Sequence, residues 1–257
     1  MQVGVFLPDR HDWPAVLQAA RDAEAAGVDR VLLPDHLAFG PPQLEAWTTL
    51  SALASATSRV GLGFGVLSAT FRAPGLLARM VDALDQISAG RLTVGLGAGI
   101  DPAEHARFGL PYPSPGARIA LLEACCAALR QLCDRPPRLA IGASGDRALR
   151  VVARYADEWN CGAVYLSQAF DRIARLSRLA ERPILRSVNV PLTVGDLPDT
   201  ERARRYNLHL GLHGPPDRML ARAAELRALG FAGIWLFVHD RPAFDCALEL
   251  TPRLRQL

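Results

Sequence analysis

The residues best placed to do chemistry in this chain are its small ones. In RVGLGFGVLSATFRAP, residues 59–74, Val60, Leu62, Phe64 and Val66 alternate with Gly61, Gly63 and Gly65. That is the period of a strand, but one face carries no side chain. Glycine weakens a strand interior, so a row of it needs a reason. The run RLTVGLGAG, 91–99, repeats the pattern: Leu92, Val94 and Leu96 alternate with Thr93, Gly95 and Gly97. Gly4 in the first strand is similar. A second feature is IGASGDR, 141–147, where a strand ends in Gly142-Ala143-Ser144-Gly145 and a helix begins. Exposed amides at a helix N-terminus bind phosphate, although many such turns are glycine-rich simply to turn. Together, an empty strand face and this loop suggest a flat, phosphorylated cofactor. His209 and His213 stand four apart and could share a helix face. A zinc pair needs further ligands, and no Glu or Cys lies nearby, so no metal is expected.

These residues must be held by alternating elements. Strands are predicted at 3–7, 30–33, within 59–74, and at 91–99, 138–142, 158–162, 188–194 and 233–238. Helices are predicted at 13–26, 43–56, 74–88, 116–132, 146–156, 168–180, 199–210 and 216–229, with a last one from Pro242. Asp12 is placed to cap the first helix and Gly27 to end it. Leu77, Val81, Leu84 and Ile87 share a face of the third. A long polar loop is expected from 100 to Ser114-Pro115, which caps the fourth. Eight strand–helix units in 257 residues, against roughly 250 typical, predict an α/β fold, a single (β/α)₈ barrel over 1–257. The rival is an open doubly wound sheet, but the first strand runs into PDRHDW, without a G-x-G-x-x-G turn. Outward faces of barrel strands pack on helices and prefer Val, Ile and Leu, so the glycines should point inward and leave space on one side. Phe6, Trp235 or Phe237 filling that space is the alternative for the deeper glycines. Gly65, Gly97 and Gly99 lie at strand C-terminal ends, where barrel enzymes hold ligands.

Composition excludes several classes. A net charge of +3, with no basic run, does not argue for nucleic acid. No apolar run approaches the ~18 residues of a membrane span. The opening MQVGVFLPD reads as a strand and not as a signal peptide, and the five Cys show no disulfide or metal spacing, so a cytoplasmic protein is expected. Cys125, Cys126 and Cys133 read as small buried thiols on an Ala/Leu-rich helix. Trp13, Trp47, Trp159 and Trp235 read as packing.

Through LLPDHLAF, WTTLSALASATSRVGLG, VLSATFRAPGLLARMVDALDQISAGRLTVGLGAG, AEHARFGLPYP and AIGASGDRALRVVARYADEWN, the sequence resembles the bacterial-luciferase-like flavin and deazaflavin oxidoreductases. It is most similar to the branch dependent on coenzyme F420, because Asp35-His36 is similar to the deazaflavin type; FMN is the alternative. The resemblance implies a (β/α)₈ barrel with a non-prolyl cis peptide at Gly65-Val66 under the cofactor ring, flanked by Leu67 and Gly97. It implies a phosphate site at Gly142, Ala143, Ser144 and Gly145, to which Cys161 and Gly162 add amides. His36 would face the ring and either move the proton that accompanies hydride transfer or hydrogen-bond the cofactor. Asp35 would orient the loop. Glu104 and His105 match the family's acidic loop and would line the mouth, as catalytic candidates, unless that loop is simply solvated. Arg72 would pair with the cofactor or an anionic substrate, or brace the bulge against Asp82 or Asp85; Tyr112 is a further substrate candidate. The implied activity is hydride transfer between F420 and a small organic substrate (alcohol, enone or imine). The alternatives are a reduced-FMN monooxygenase fed by a separate reductase, and a non-catalytic flavin-binding member. A homodimer is implied as well. The segment VGDLPDTERARRYN is shorter than the insertions usual in relatives, which act as lids or dimer surfaces.

Overall fold

Strand and helix alternate as the periodicity predicts. The computed structural model describes residues 1–38, 43–195, 197 and 207–257. In chain order the elements are β1 (Gln2–Phe6), α1 (Trp13–Ala25), β2 (Arg30–Leu33), α2 (Ala46–Ala56), β3 (Gly61–Phe64), β4 (Leu67–Ser68) and α3 (Pro74–Ile87). Then come β5 (Leu92–Gly97), α4 (Pro102–Arg107), α5 (Pro115–Leu132), β6 (Arg138–Gly142), α6 (Asp146–Tyr155), β7 (Glu158–Gly162) and α7 (Ala169–Leu179). The chain continues through β8 (Leu185–Val194), β9 (Leu212–Gly214), α8 (Pro216–Ala228), β10 (Gly233–Phe237) and α9 (Arg241–Gln256). The sheet runs β1-β2-β3-β5-β6-β7-β8-β10 with every pairing parallel, and β10 pairs back onto β1. This is a closed eight-stranded (β/α)₈ barrel. β4 continues the third strand beyond a bulge and pairs with β5, while β9 lies beside the end of β8.

Two apolar cores follow from the strand period. Val3, Val5, Val31, Leu62, Val94 and Ile141 join the large core between strands and helices. Phe6, Leu32, Ala140 and Trp235 form a small cluster of their own, with Val66 and Phe237 against it. The glycines point inward as expected, but the deeper ones do not face empty space. A Cβ on Gly63 would sit 2.8 Å from Arg30 and 2.9 Å from Leu32; the inward side of Gly65, expected at the ligand end, is filled as well, since a Cβ there would sit 2.5 Å from the Phe6 ring and 3.2 Å from Trp235. Phe6 and Trp235 therefore fill the deep interior, one of the two alternatives. Lower still, Glu158 accepts two bonds from Arg30 and one, at 3.0 Å, from the Trp235 indole.

Local signals explain most boundaries. Asp12 accepts from the Ala15 amide and Ser114 from Ala117, each ahead of a proline in the first turn. The loop expected at 100–114 instead contains α4. Asp101 accepts from the amides of Ala103 and Glu104, and Pro102 opens the turn. The D-P-A-E string carried that signal as a capping box. The second helix begins at Ala46, not 43, because Glu45 caps it by accepting from Trp47 and Thr48. Leu77, Val81 and Leu84 are buried, but Ile87 is 52% exposed at the end of α3. His209 and His213 do not share a helix: the first lies in a 3₁₀ turn, Leu208–Leu210, and the second in β9. Most of the helix expected at 199–210, and most of VGDLPDTERARRYN, lies outside the described residues.

Candidate active site

A groove opens at the C-terminal ends of the strands, built around the break between β3 and β4. The Gly65-Val66 peptide there is cis, as the resemblance implied. The glycines of the neighbouring strands make room for this bulge. A Cβ on Gly95 would strike the Phe64 carbonyl, and one on Gly97 would come 2.8 Å from Val66. One side of the bulge holds a cavity of about 310 Å³ and the other a cavity of about 330 Å³. Both are lined by Gly65, Val66, Gly99, Gly142 and Asn189, so they are two halves of one groove.

In the first half, β2 delivers Asp35 and His36, and the short helix α4 delivers Glu104 and His105; all four line it together with Leu67 and Gly97. His36 Nδ1 lies 3.2 Å from Glu104 Oε2. The other oxygen of the buried Glu104 accepts from the backbone amides of Leu37 and Ala38, the latter at 2.8 Å. A carboxylate can only accept, so His36 Nδ1 donates, and a neutral ring keeps its lone pair on Nε2. His105 is buried between the rings of Phe71 and Tyr112, with centroids 4.9 and 4.8 Å away.

Among the described residues, Asp35 does not bond the amides of its own loop, which Glu104 holds; its Oδ2 accepts instead from the Ser68 amide of β4 at 3.0 Å. Arg72 forks onto both Asp35 oxygens at 2.7 and 3.1 Å and reaches Glu45 at 2.9 Å. Burial pulls its guanidinium's pKa down, but these carboxylates outweigh that and raise it. Arg72 is thus a brace, and Asp35 and Glu45 are its partners in place of Asp82 or Asp85, which Arg79 and Arg135 engage. Neither Arg72 nor Tyr112 is among the residues lining either half of the groove, which does not match the substrate contacts expected of them. Tyr112 packs against His105 and under Arg118, whose guanidinium lies 4.2 Å from its ring centre.

The second half ends at Gly142, Ala143, Ser144 and Gly145, all of which line it, as does Gly162. Gly145 precedes α6 without any side-chain cap, and Gly145 and Ala148 at that end line the groove. The Trp159 indole donates to the Ala143 carbonyl at 2.9 Å and pins the loop from behind. Cys161, expected to add an amide, is not among the lining residues of either half, and its side chain lies in the outer core, where burial pushes the thiol up to about 11. Two residues that sequence reasoning missed also line the groove. Asn189 Oδ1 and Arg118 Nε are buried without a hydrogen-bond partner among the described residues. Asn189 carried a signal as a polar residue in the β-branched run VNVPLTV; Arg118 had none. No group of three or more potential metal ligands occurs among the described residues, and no described helix is long and apolar enough to cross a membrane.

A parallel barrel with its groove at the strand C-termini, an imidazole–carboxylate couple in one half and an uncapped helix N-terminus in the other, has the architecture of a (β/α)₈ barrel enzyme. The chain belongs to the luciferase-like monooxygenase family, which it matches over residues 1–213. It is similar to an F420-dependent glucose-6-phosphate dehydrogenase of Beutenbergia cavernae, 34% identical over 167 residues. That match spans 54% of this chain and 49% of the relative, so about half the length of each. Among solved structures it resembles an F420-dependent secondary alcohol dehydrogenase in complex with an F420–acetone adduct, with a TM-score of 0.81, 18% identity and 99% of both chains covered. It also resembles an EDTA monooxygenase of Chelativorans, with a TM-score of 0.80, 14% identity, and 100% and 93% covered. At these identities the structures speak to the fold.

Proposed function

We propose that this enzyme is an F420-dependent oxidoreductase acting on a small organic substrate such as an alcohol, enone or imine. The observation that carries the reading is the groove itself, with backbone for walls at Gly65, Gly97 and Gly142, the His36–Glu104 couple in one half and the uncapped α6 in the other. The residues present fit a flat phosphorylated group. A Cβ on Gly142 would meet nothing closer than Val66, at 3.5 Å, so its bareness serves the groove and not its neighbours. Asn189 Oδ1 and Arg118 Nε are buried polar atoms without a hydrogen-bond partner among the described residues, and a bound group would satisfy them. Gly65, Val66, Leu67 and Gly97 would lie against the ring, and Gly142 to Gly145 with Gly162 and the α6 amides would hold the phosphate. When bound, the deazaflavin supplies the hydride chemistry.

His36, held through Nδ1 by Glu104, would serve as the general base. On a neutral ring Nε2 takes the hydroxyl proton as an alcohol is oxidised and returns it in the reverse direction, while Glu104 stabilises the imidazolium. Phe71, Ile100 and Phe237 line the same half and suit an uncharged substrate. The Beutenbergia relative supports F420 over FMN. Titrating the purified protein with F420 and FMN, each oxidised and reduced, tests the reading. Tight binding of F420 without FMN is expected. Oxygen uptake driven by reduced FMN would replace it with a monooxygenase, and binding of neither would point to a non-catalytic family member.

A further inference from the structure

Beside the His36–Glu104 couple, a second chain of proton-carrying groups reaches the same cavity. His105 Nδ1 lies 2.6 Å from the Asp101 carbonyl oxygen, and its Nε2 lies 2.6 Å from Thr70 Oγ1. Thr70 Oγ1 in turn lies 2.7 Å from Ser68 Oγ. Ser68 and His105 line the cavity, whereas Thr70 is not among its lining residues. Gly99, at φ +77°, keeps the two hydroxyls in place: a Cβ there would sit 2.7 Å from Ser68 Oγ and 3.0 Å from Thr70 Oγ1.

One atom sets the direction of the whole chain. A backbone carbonyl can only accept, so His105 Nδ1 carries a proton. On a neutral imidazole Nε2 then accepts, and Thr70 must donate its hydroxyl proton to it. With that proton committed, Thr70 Oγ1 accepts from Ser68. Ser68 therefore turns only lone pairs toward the cavity.

We infer that Ser68, Thr70 and His105 form a proton relay, separate from His36–Glu104, that accepts from an O–H or N–H group bound against the cavity wall at Ser68. The inference rests on the proposed function only for the identity of that bound group. The step moves protons alone. The bound donor gives its proton to Ser68 Oγ, Ser68 passes its own to Thr70, and Thr70 passes its own to His105 Nε2. This leaves an anionic donor and an imidazolium, and release runs the sequence backwards. The charge is accommodated where it lands, since the Phe71 and Tyr112 rings lie beside the imidazole. The charged groups around it are Asp101, which caps α4, Glu104, which is engaged by His36, and Arg118, which lies on Tyr112. Ser68 receives the proton from the bound group, Thr70 carries it on, and His105 is its terminus.

Two measurements test the relay, the first without any cofactor. Histidine ¹⁵N spectra of the protein alone should show His105 as the Nδ1–H tautomer, and Thr70→Val should move its Nε2 signal. An Nε2–H tautomer, or an Nε2 signal unchanged by Thr70→Val, would overturn the relay. The second uses F420 and propan-2-ol. Thr70→Val should keep F420 affinity within about threefold while lowering turnover about 10²-fold and changing the pH–rate profile. A merely structural hydroxyl would lower stability and leave the profile as in the wild type, which would also overturn the relay. Should Thr70→Val fail to fold, Ser68→Ala cuts the chain at its cavity end and must change the same profile. Failure of the wild type to bind F420 would sink the proposed function, and the tautomer measurement then decides the relay by itself.

Discussion

Replacing Glu104 by Gln changes one atom and asks how His36 is held. Glu104 serves three donors: the amides of Leu37 and Ala38 on one oxygen and His36 Nδ1 on the other. Glutamine can meet them in two ways. With its carbonyl on the two amides, its NH₂ faces His36 Nδ1, which must then become an acceptor. With the carbonyl on His36, the NH₂ faces two N–H donors, which loses two hydrogen bonds of about 1 kcal/mol each and leaves buried donors unpaired at about 1–3 kcal/mol apiece. Moving a proton between the nitrogens of a neutral imidazole costs far less, so the first arrangement wins. Exchanging charge-assisted for neutral bonds should lower stability by about 1–3 kcal/mol. The proton then sits on His36 Nε2, which can no longer accept, and turnover should fall about 10²- to 10⁴-fold with the barrel still folded. Histidine ¹⁵N spectra report the tautomer, and steady-state turnover with F420 reports the function. Turnover within about threefold of wild type, or a His36 still protonated on Nδ1, would refute the reasoning.

Three further outcomes follow from the packing. Glu158→Gln removes the charge facing the buried Arg30, whose side chain is 9% exposed; stability to urea should fall by about 3–5 kcal/mol, because the guanidinium is left uncompensated. Burial pushes the Glu24 carboxyl up, but the amides of Val60, Arg59 and Ser58 outweigh that and hold it at about 2, below its ordinary 4.5. A depressed carboxyl stabilises the fold above its unfolded value and loses that contribution as pH falls toward the folded one. The melting temperature of Glu24→Gln should therefore drop less than that of the wild type between pH 4.5 and 2. Burial raises the Cys125 thiol to about 11 and Cys133 to about 12, so alkylation of the native protein near neutral pH should be slow at both and rapid only after unfolding.

Much of this architecture was legible in the chain because local physics writes it there. Strand periodicity, with Asp12, Ser114 and Gly27 as caps and stops, set eight units in order. Eight such units of this length close into a barrel. The glycine rows and the loop at 142–145 marked the right end of that barrel, since a missing side chain is visible in a sequence. The pairings were not legible. That Arg72 meets Asp35 and Glu45, that Tyr112 packs behind His105, and that Cys161 turns outward depend on register and on a bulge whose course no local signal dictates. The meaning of the glycines changed for the same reason. By itself the sequence determined that side chains are absent along one inward face. Only the closed barrel decided what occupies the space: Phe6 and Trp235 in its depth, Val66 at the bulge, and an open groove beyond, because those rings arrive from strands far away in sequence.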